Sequence, residues 1–310
     1  MSSDLAYVVT GGDDGSVRAW ELATGGEVSK VSLSSYAINA VSFLDPRTVL
    51  LLRADGGLYK WRIGQPNALE ISVRGNGMFL APSPDGKTFA TGGPNNEVLL
   101  ISLAKGSKVR RLIGHHRTVW NASFSRDGQQ VVTASQDGTA RVWRVADGHP
   151  LHAIQNGNVP VHAAVFSKNG TRVLIGDANG RLQIATPGAQ SPPQRISAHK
   201  KQLNALVLSS DGLSVFSAGW DAVVRRWSMD SLGEQDRFEG HAGSIATLGT
   251  VGNDEFVFAA GVDGTCRIWS IRSSRIHRSL GGVAAGVGTL ALSPDQATMA
   301  VSYSDRNRNA

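Results

Sequence analysis

The chain has 310 residues, a net charge of +6 at neutral pH and a sequence pI of about 9.7. Hydrophobic residues make up 41% of it, enough for a sizeable core, and its single cysteine, Cys266, excludes an intrachain disulfide. Only 18% of the residues are charged, and the basic ones are spread out with no run of five or more. We therefore interpret the positive charge as a solvated surface.

The start of the chain shows no targeting segment. Residues 1–9, MSSDLAYVV, lack the basic stretch followed by an apolar core that marks a secretory signal. No apolar run approaches the ~18 residues that a membrane-spanning helix needs. The sequence thus predicts a monomeric cytoplasmic protein without a membrane partner.

One short pattern recurs along the whole chain, from VVTGGDDGSVRAW at the N-terminus to VFAAGVDGTCRIW near the C-terminus. Successive copies are 40 to 42 residues apart. A fixed period of this length indicates a repeat architecture whose units bury their apolar faces only against one another. The seven copies end at positions 20, 61, 101, 143, 185, 227 and 269, five of which are Trp.

Each copy belongs to a unit that reads as four short strands. In the fourth unit an apolar strand at 119–125 is followed by the turn Asp127-Gly128, a strand at 131–135 and a third strand ending at Trp143. A more polar strand leads to the next unit, and the sixth unit repeats this order with strands at 203–209 and 215–219. Strands of about five residues with frequent turns predict an all-β fold, and a repeated four-stranded unit predicts a β-propeller.

Three units share one spacing of polar residues. His115, His199 and His241 are each followed by an Asp after 22 residues and by a Trp six residues later. On this spacing the chain resembles the WD-repeat (WD40) family over essentially its whole length. The acidic residue that usually follows the Trp is absent, since Arg144, Ser228 and Ser270 stand there. The resemblance is carried by the repeat rather than by that dipeptide.

The resemblance implies a seven-bladed β-propeller of four-stranded WD40-type blades in one domain, residues 1–305. The C-terminal segment 287–305 would complete blade one and close the ring by pairing N- and C-terminal strands, which removes exposed strand edges. Two candidate second strands, 7–10 and 298–305, then compete for one place. Either one is displaced or the chain is a fragment of a longer protein, and residues 306–310 are expected to be a disordered or truncated tail.

The resemblance also assigns roles to the His, Asp and Trp of the repeat. With a hydroxyl residue they imply a buried hydrogen-bond relay that holds the loop before the first strand against the third strand. A hydrolytic triad is disfavoured, because the same set recurs at the repeat spacing whereas a catalytic set would be singular. The residues expected in these structural sets are His115, Thr133, Asp137 and Trp143; His199, Ser217, Asp221 and Trp227; and His241, Asp263 and Trp269, with Ala259 in place of the hydroxyl.

No other motif predicts chemistry. Residues 81–88 match a loose nucleotide-binding loop, but a strand follows where that loop requires a helix. The histidines show no metal-ligand spacing, and there is no Cys/His cluster. The sequence therefore predicts a protein that is not an enzyme and holds no cofactor or metal.

The resemblance implies that partners dock on the narrow face around the central channel. Trp120 and Trp220 are notable there because neither occupies the repeat Trp position, and exposed Trp is enriched at interaction hot spots. We expect a non-catalytic scaffold for a protein or peptide partner. The alternatives are a regulatory or sensory domain of a larger protein, or a basic propeller binding nucleic acid or another acidic ligand. The face residues are Trp120, Trp220, His162, Asn204, Thr118, Gln136, Gln202 and Asn39.

Overall fold

The computed structural model describes residues 7–12, 14–21, 26–33, 35–74, 79–103, 109–251, 254–281, 286–292 and 299–304. Within these ranges the chain forms antiparallel strands and one short 3₁₀ turn at Pro94–Asn96. The expected tail 306–310 lies outside the described residues. The all-β prediction is therefore confirmed.

The strands follow one another in sheets along the chain. The first sheet contains β1 (Tyr7–Gly11), β2 (Ser16–Glu21) and β3 (Glu27–Ser32). The next three contain β4 (Ile38–Asp45), β5 (Thr48–Arg53), β6 (Gly57–Arg62) and β7 (Leu69–Arg74); β8 (Leu80–Pro82), β9 (Thr88–Gly92), β10 (Val98–Ser102) and β11 (Val109–Leu112); and β12 (Val119–Phe124), β13 (Gln130–Ser135), β14 (Thr139–Arg144) and β15 (Pro150–Gln155).

The second half of the chain continues this order. Three further four-stranded sheets contain β16 (Val161–Phe166), β17 (Val173–Asp177), β18 (Arg181–Ala185) and β19 (Gln194–Ser197); β20 (Leu203–Leu208), β21 (Ser214–Gly219), β22 (Val224–Ser228) and β23 (Glu234–Phe238); and β24 (Ile245–Val251), β25 (Phe256–Gly261), β26 (Thr265–Ser270) and β27 (Arg275–Gly281). The last sheet contains β28 (Gly286–Leu292) and β29 (Met299–Ser304).

The sheets are arranged as the blades of a propeller. The first strands of consecutive four-stranded sheets lie side by side, β4 beside β8, β8 beside β12, and so on to β24. Each of these innermost strands is followed by its sheet neighbours in chain order toward the outside. The predicted propeller of four-stranded blades is thus present, with the innermost strands lining its centre.

The predicted number of blades is wrong. The described residues form a six-bladed propeller of four-stranded sheets, while β1–β3 form a three-stranded sheet and β28 and β29 a separate pair. β29 lies beside β1, but no hydrogen-bonded ladder of described residues joins the two, so the predicted closure by strand pairing is not seen. The sequence period counts third strands, and it says nothing about whether each of them belongs to a complete sheet. Both candidate second strands form, in different sheets.

The turns between first and second strands form because of a short side-chain motif. In the turn from β12 to β13 the Asp127 carboxylate accepts hydrogen bonds from the Ser125 hydroxyl at 2.6 Å and from the Gln129 backbone N–H at 3.0 Å. The same Ser-to-Asp contact, also 2.6 Å, holds the turns at Asp85 and Asp211. Such local hydrogen bonds favour tight turns over continued strand.

The core lies between neighbouring blades rather than within one sheet. Trp143 of β14 is fully buried and packs with Val131 and Val119 of its own blade and with Leu100 of the blade before it. Trp269 and the preceding blade's Phe238 share a cluster in the same way. Each blade therefore needs its neighbour to bury its apolar face, as the repeat period predicts.

Candidate functional site

The first complete polar set lies in the blade β12–β15. His115 Nδ1 lies 2.8 Å from Asp137 Oδ2, and its Nε2 lies 2.7 Å from Thr133 Oγ1. The indole N–H of Trp143 donates to Thr133 Oγ1 at 2.9 Å. Because an indole can only donate, the Thr133 hydroxyl accepts from it and donates to Nε2, which places the imidazole proton on Nδ1, toward Asp137. The set is a continuous relay from Trp143 to Asp137.

The second set, in the blade β20–β23, repeats this geometry and adds a cation. His199 lies 2.8 Å from Asp221 and 2.7 Å from Ser217, and the Trp227 indole donates to Ser217 at 2.8 Å. Arg225 donates to the other carboxylate oxygen of Asp221 at 2.8 Å. Both oxygens of Asp221 are therefore engaged within the blade.

The third set, in the blade β24–β27, lacks its hydroxyl and is arranged differently. His241 Nδ1 lies 3.0 Å from Asp263, while its Nε2 faces the Ala259 carbonyl at 3.2 Å. The Trp269 indole donates to the Glu239 carbonyl at 3.0 Å instead. Without a hydroxyl between them, His241 and Trp269 each use a backbone carbonyl as acceptor, and these contacts are longer than those of His199.

Burial sets the protonation of these groups. It lowers the pKa of His115, His199 and His241 by more than their aspartate partners raise it, so all three are neutral at neutral pH. Burial alone would raise the pKa of Asp137, but hydrogen bonds from Thr139 and His115 outweigh it and lower that pKa to about 2. A buried neutral imidazole held by a carboxylate is a rigid tie between two chain segments.

These ties join the same two segments in every blade that has them. The loop before the innermost strand is held against the turn between the second and third strands, and one backbone bond repeats there: Gln136 N–H to the Thr118 carbonyl and Trp220 N–H to the Gln202 carbonyl, both 2.9 Å. The turn of the β24–β27 blade makes the same bond, Val262 N–H to Ser244 at 2.9 Å. We call the surface formed by these loops and turns the top face.

A β-bulge marks each innermost strand at the top face. The pairing register shifts around one residue near the start of the strand, which leaves that residue without a partner on the second strand. Bulges redirect a side chain and are common beside functional sites. The bulged residues are Asn39, Trp120, His162, Asn204 and Ala246, four of which are among the predicted face residues.

Four predicted face residues form a chain across successive blades. The rings of Trp120 and His162 stack with centroids 5.6 Å apart and planes at 27°. Gln202 Nε2 faces His162 Nδ1 at 3.3 Å and donates to Asn204 Oδ1 at 2.7 Å, and Asn204 donates to the Ile245 carbonyl at 3.1 Å. Burial lowers the pKa of His162, so its Nδ1 accepts from Gln202. The chain occupies these side chains with one another.

The two tryptophans of the top face differ in exposure. Trp120 is half-buried, and its indole nitrogen is covered without a hydrogen-bond partner among the described residues. Trp220 is 51% exposed and lies beside a groove between the blades β20–β23 and β24–β27. Trp220 is therefore the available aromatic surface, while Trp120 is engaged with His162.

The remaining predicted residues lie on the same face without joining that chain. Asn39 is exposed on β4, whereas Thr118 and Gln136 are half-buried and adjoin through the backbone bond described above. Sequence reasoning missed Lys200 and Lys201, which follow the tetrad residue His199 directly, and Ala222, which follows Asp221. Their positions relative to the repeat spacing were the available signal.

The described residues offer little for catalysis by a metal. In the parts of the chain that the structure covers, no three His, Cys, Asp or Glu side chains come together as metal ligands. Among those residues we also find no helix with the length and apolar character needed to span a bilayer. Burial raises the pKa of the Cys266 thiol to about 12, so it is not a nucleophile at neutral pH.

Comparison with known proteins agrees with the fold. The chain is 30% identical over 139 residues to WD repeat-containing protein 1 of Xenopus tropicalis, covering 43% of this chain and 23% of that protein. It is 29% identical over 129 residues to the serine-threonine kinase receptor-associated protein of Dictyostelium discoideum, covering 41% of this chain and 43% of that protein. The matches thus span less than half the length of these curated relatives.

Structure and family comparisons reach further along the chain. The crystal structure of the WD40 beta propeller domain of Doa1 superposes with a TM-score of 0.75 at 20% identity, covering 87% of this chain and 90% of that one. The family model "WD domain, G-beta repeat" matches residues 1–21, 106–144, 190–228 and 233–270. These matches confirm the resemblance to the WD-repeat (WD40) family of β-propellers that the spacing of His, Asp and Trp predicted.

Proposed function

We propose that this protein is a non-catalytic interaction scaffold that binds a protein or peptide partner on its top face. WD40 propellers typically act as protein-interaction scaffolds. The observation that carries the proposal is Trp220, a large aromatic side chain left 51% exposed on a turn that the fold does not require to be aromatic. Exposed Trp on a rigid frame is the typical anchor of a protein interface.

The rigidity of the face supports the proposal. The loops on either side of Trp220 are tied to their blades by His199 and His241, whose side chains are buried. A preformed surface binds a partner without first losing conformational entropy of its own. The same buried histidines are neutral and fully hydrogen-bonded, which makes them a framework rather than a reactive group.

The composition of the propeller centre also favours binding over catalysis. Among the described residues of the innermost strands, the ionisable side chains are Asp45, at the end of β4, and His162. His162 is engaged with Trp120 and Gln202. Acid–base catalysis needs positioned titratable groups, and the centre supplies few. Cytoplasmic location and the monomeric state remain predictions.

Site-specific photo-crosslinking tests the proposal. A photoreactive phenylalanine placed at Val262, a 42% exposed top-face residue, is expected to capture a partner protein in cells. The matched control carries the same group at Leu213, 65% exposed on the turn from β20 to β21 at the opposite end of its blade. We expect the product from position 262 to disappear when Trp220→Ala is added. Equal products from both positions, or a product unaffected by Trp220→Ala, would overturn the proposal.

A further inference from the structure

The groove beside Trp220 has a volume of about 530 Å³ and lies between two loops of the top face. One wall comes from the blade β20–β23 and the other from the blade β24–β27. This volume is within the range of sites that hold a few side chains of a bound molecule. The lining residues are Lys200, Lys201, Trp220, Asp221 and Ala222 on one wall and Ala242, Gly243 and Ser244 on the other.

The charge of the groove is positive and uncompensated. Lys200 and Lys201 are both exposed, and neither forms an ion pair with a described residue. The carboxylate in the lining, Asp221, is already matched, because His199 and Arg225 contact its two oxygens at 2.8 Å. Burial would raise the pKa of Asp221, but those two contacts lower it well below its usual range, so it stays ionised and paired. Two ammonium groups therefore remain for a ligand.

The apolar part of the groove lies next to these lysines. Trp220 remains exposed because the facing loop carries Ala242 and Gly243, which are too small to cover an indole. A Cβ at Gly243 would lie 2.8 Å from a methyl group of Val262, so Val262 packs over that glycine and continues the apolar surface away from Trp220. Val262 is itself 42% exposed. Together they form an apolar strip bordered on one side by positive charge.

The groove is also held in shape before anything binds. The backbone N–H groups of Ala198 and His199 donate to the Gly180 carbonyl at 3.0 and 2.8 Å, and Lys200 N–H donates to Asp221 at 3.3 Å. Ala222 has φ of +64°, a left-handed conformation in which the equivalent residues Gly138 and Gly264 are glycine. A methyl group kept in a strained position on a groove wall indicates a surface shaped for contact.

We propose that the groove binds an acidic peptide segment that carries one large apolar side chain. The apolar side chain packs on Trp220 and Val262, and carboxylates on either side of it pair with Lys200 and Lys201. The inference rests on the proposed scaffold function and specifies the chemistry of its partner. The positive charge gives the direction of the match, and the strip beside it distinguishes a peptide from a purely charged polymer.

Binding of fluorescein-labelled synthetic peptides to the full chain tests this assignment. The first probe has Glu-Gly repeats around a central Leu; matched probes replace every Glu by Gln, every Glu by Lys, or the Leu by Ala. A single-stranded oligothymidylate is the nucleic-acid probe. We expect the Glu peptide with Leu to bind most tightly, with affinity falling as salt rises. Trp220→Ala should weaken it about tenfold or more, as truncation of a hot-spot residue does.

Two double variants separate local from overall charge. Lys200→Gln with Lys201→Gln should weaken the Glu peptide about threefold or more. The matched control, Lys87→Gln with Arg126→Gln, removes the same charge from exposed turns at the other end of the blades and should leave binding unchanged. Equal weakening by the two pairs, equal binding of the Glu and Gln peptides, or tighter binding of the oligothymidylate would each overturn the inference.

The peptide result is independent of the crosslinking result. If crosslinks from position 262 depend on Trp220 but the peptides show no preference for Glu, the scaffold function stands and the acidic-peptide assignment is wrong. If neither crosslinks nor peptide binding are seen, both are wrong. Thermal unfolding of every variant beside the wild type shows that any loss of binding comes from a folded protein.

Discussion

Replacing Asp137 by Ala removes the acceptor at the end of the relay in the blade β12–β15. The carboxylate accepts four hydrogen bonds: from His115 Nδ1 at 2.8 Å, from His116 N at 3.1 Å, and from Thr139 N and Oγ1 at 2.9 and 2.6 Å. His116 is exposed and can turn to water, but His115 and Thr139 are buried. A buried donor without a partner costs about 1–3 kcal/mol, so we expect a loss of about 2 kcal/mol.

The acidity of the same group gives an independent figure. The Asp137 side chain is only 6% exposed, so solvent screens its contacts little. A fall in its pKa from 3.8 to about 2 corresponds to about 2 kcal/mol of stability at neutral pH. Because the folded-state pKa is the lower one, this stability is present above about pH 4 and is lost as the pH falls toward 2. The two routes agree in size.

Urea unfolding at neutral pH measures the effect, with the denaturant dependence checked for constancy. The matched control is Asp127→Ala, because Asp127 is an exposed turn aspartate in the same blade that accepts from Ser125 and Gln129 without a buried histidine. We expect its cost to stay below about 1 kcal/mol, as for a local turn contact. If Asp137→Ala destabilised the protein no more than Asp127→Ala, the relay would not be a structural tie and the reasoning would fail.

Three other predictions concern the rest of the top face. Ser217→Ala leaves the buried Trp227 indole and His199 Nε2 without their shared partner and should lower the unfolding free energy by about 2 kcal/mol in urea, whereas Ser210→Ala, on an exposed turn, should change it by less than about 0.5. Ala222→Gly relieves a left-handed alanine and should raise the unfolding free energy by about 0.5–1 kcal/mol; a decrease would show that the methyl contributes packing that outweighs strain. Burial lowers the pKa of His162, so the unfolded chain takes up a proton more readily below about pH 6.5 and the protein loses stability as the pH falls; His162→Gln should make the loss between about pH 7 and 5 smaller, and an unchanged loss would contradict this.

Local strand structure was predictable because it depends on short patterns. The predicted strands at 119–125, 131–135, 203–209 and 215–219 are observed at Val119–Phe124, Gln130–Ser135, Leu203–Leu208 and Ser214–Gly219. The Asp-Gly turns between them are fixed by side-chain contacts two residues apart. The same information within a few residues of each strand sufficed for its bounds.

The blade count depended on the two ends of the chain, where local patterns were not sufficient. β1 and β29 both have the sequence of a second strand, and the repeat period placed them in one blade. Whether they pair is decided by how segments almost 300 residues apart in sequence meet, since β1 begins at Tyr7 and β29 at Met299. The period holds no information about that encounter, so it predicted seven blades where six four-stranded sheets form.

Exposure at the top face was unpredictable for the same reason. Trp120 and Trp220 are equally anomalous in sequence, but their neighbours come from the next blade, about 40 residues further on. Trp120 meets the imidazole of His162 and is half-covered, while Trp220 faces Ala242 and Gly243 and stays exposed. Each outcome is set by the size of a residue on another blade, which no pattern around the tryptophan contains.

The groove therefore has one firmly held wall and one that is held less tightly. The loop bearing Lys200 is tied by a complete relay, with His199 contacts of 2.7 and 2.8 Å and a further cation on Asp221. The facing loop depends on His241, which lacks the hydroxyl and makes contacts of 3.0 to 3.2 Å. The charges and the indole lie on the better-held wall. Because a recognition group held rigidly loses less entropy on binding, we infer that the blade β20–β23 sets which partner binds, while the wall at Gly243 adjusts to the shape of the apolar side chain.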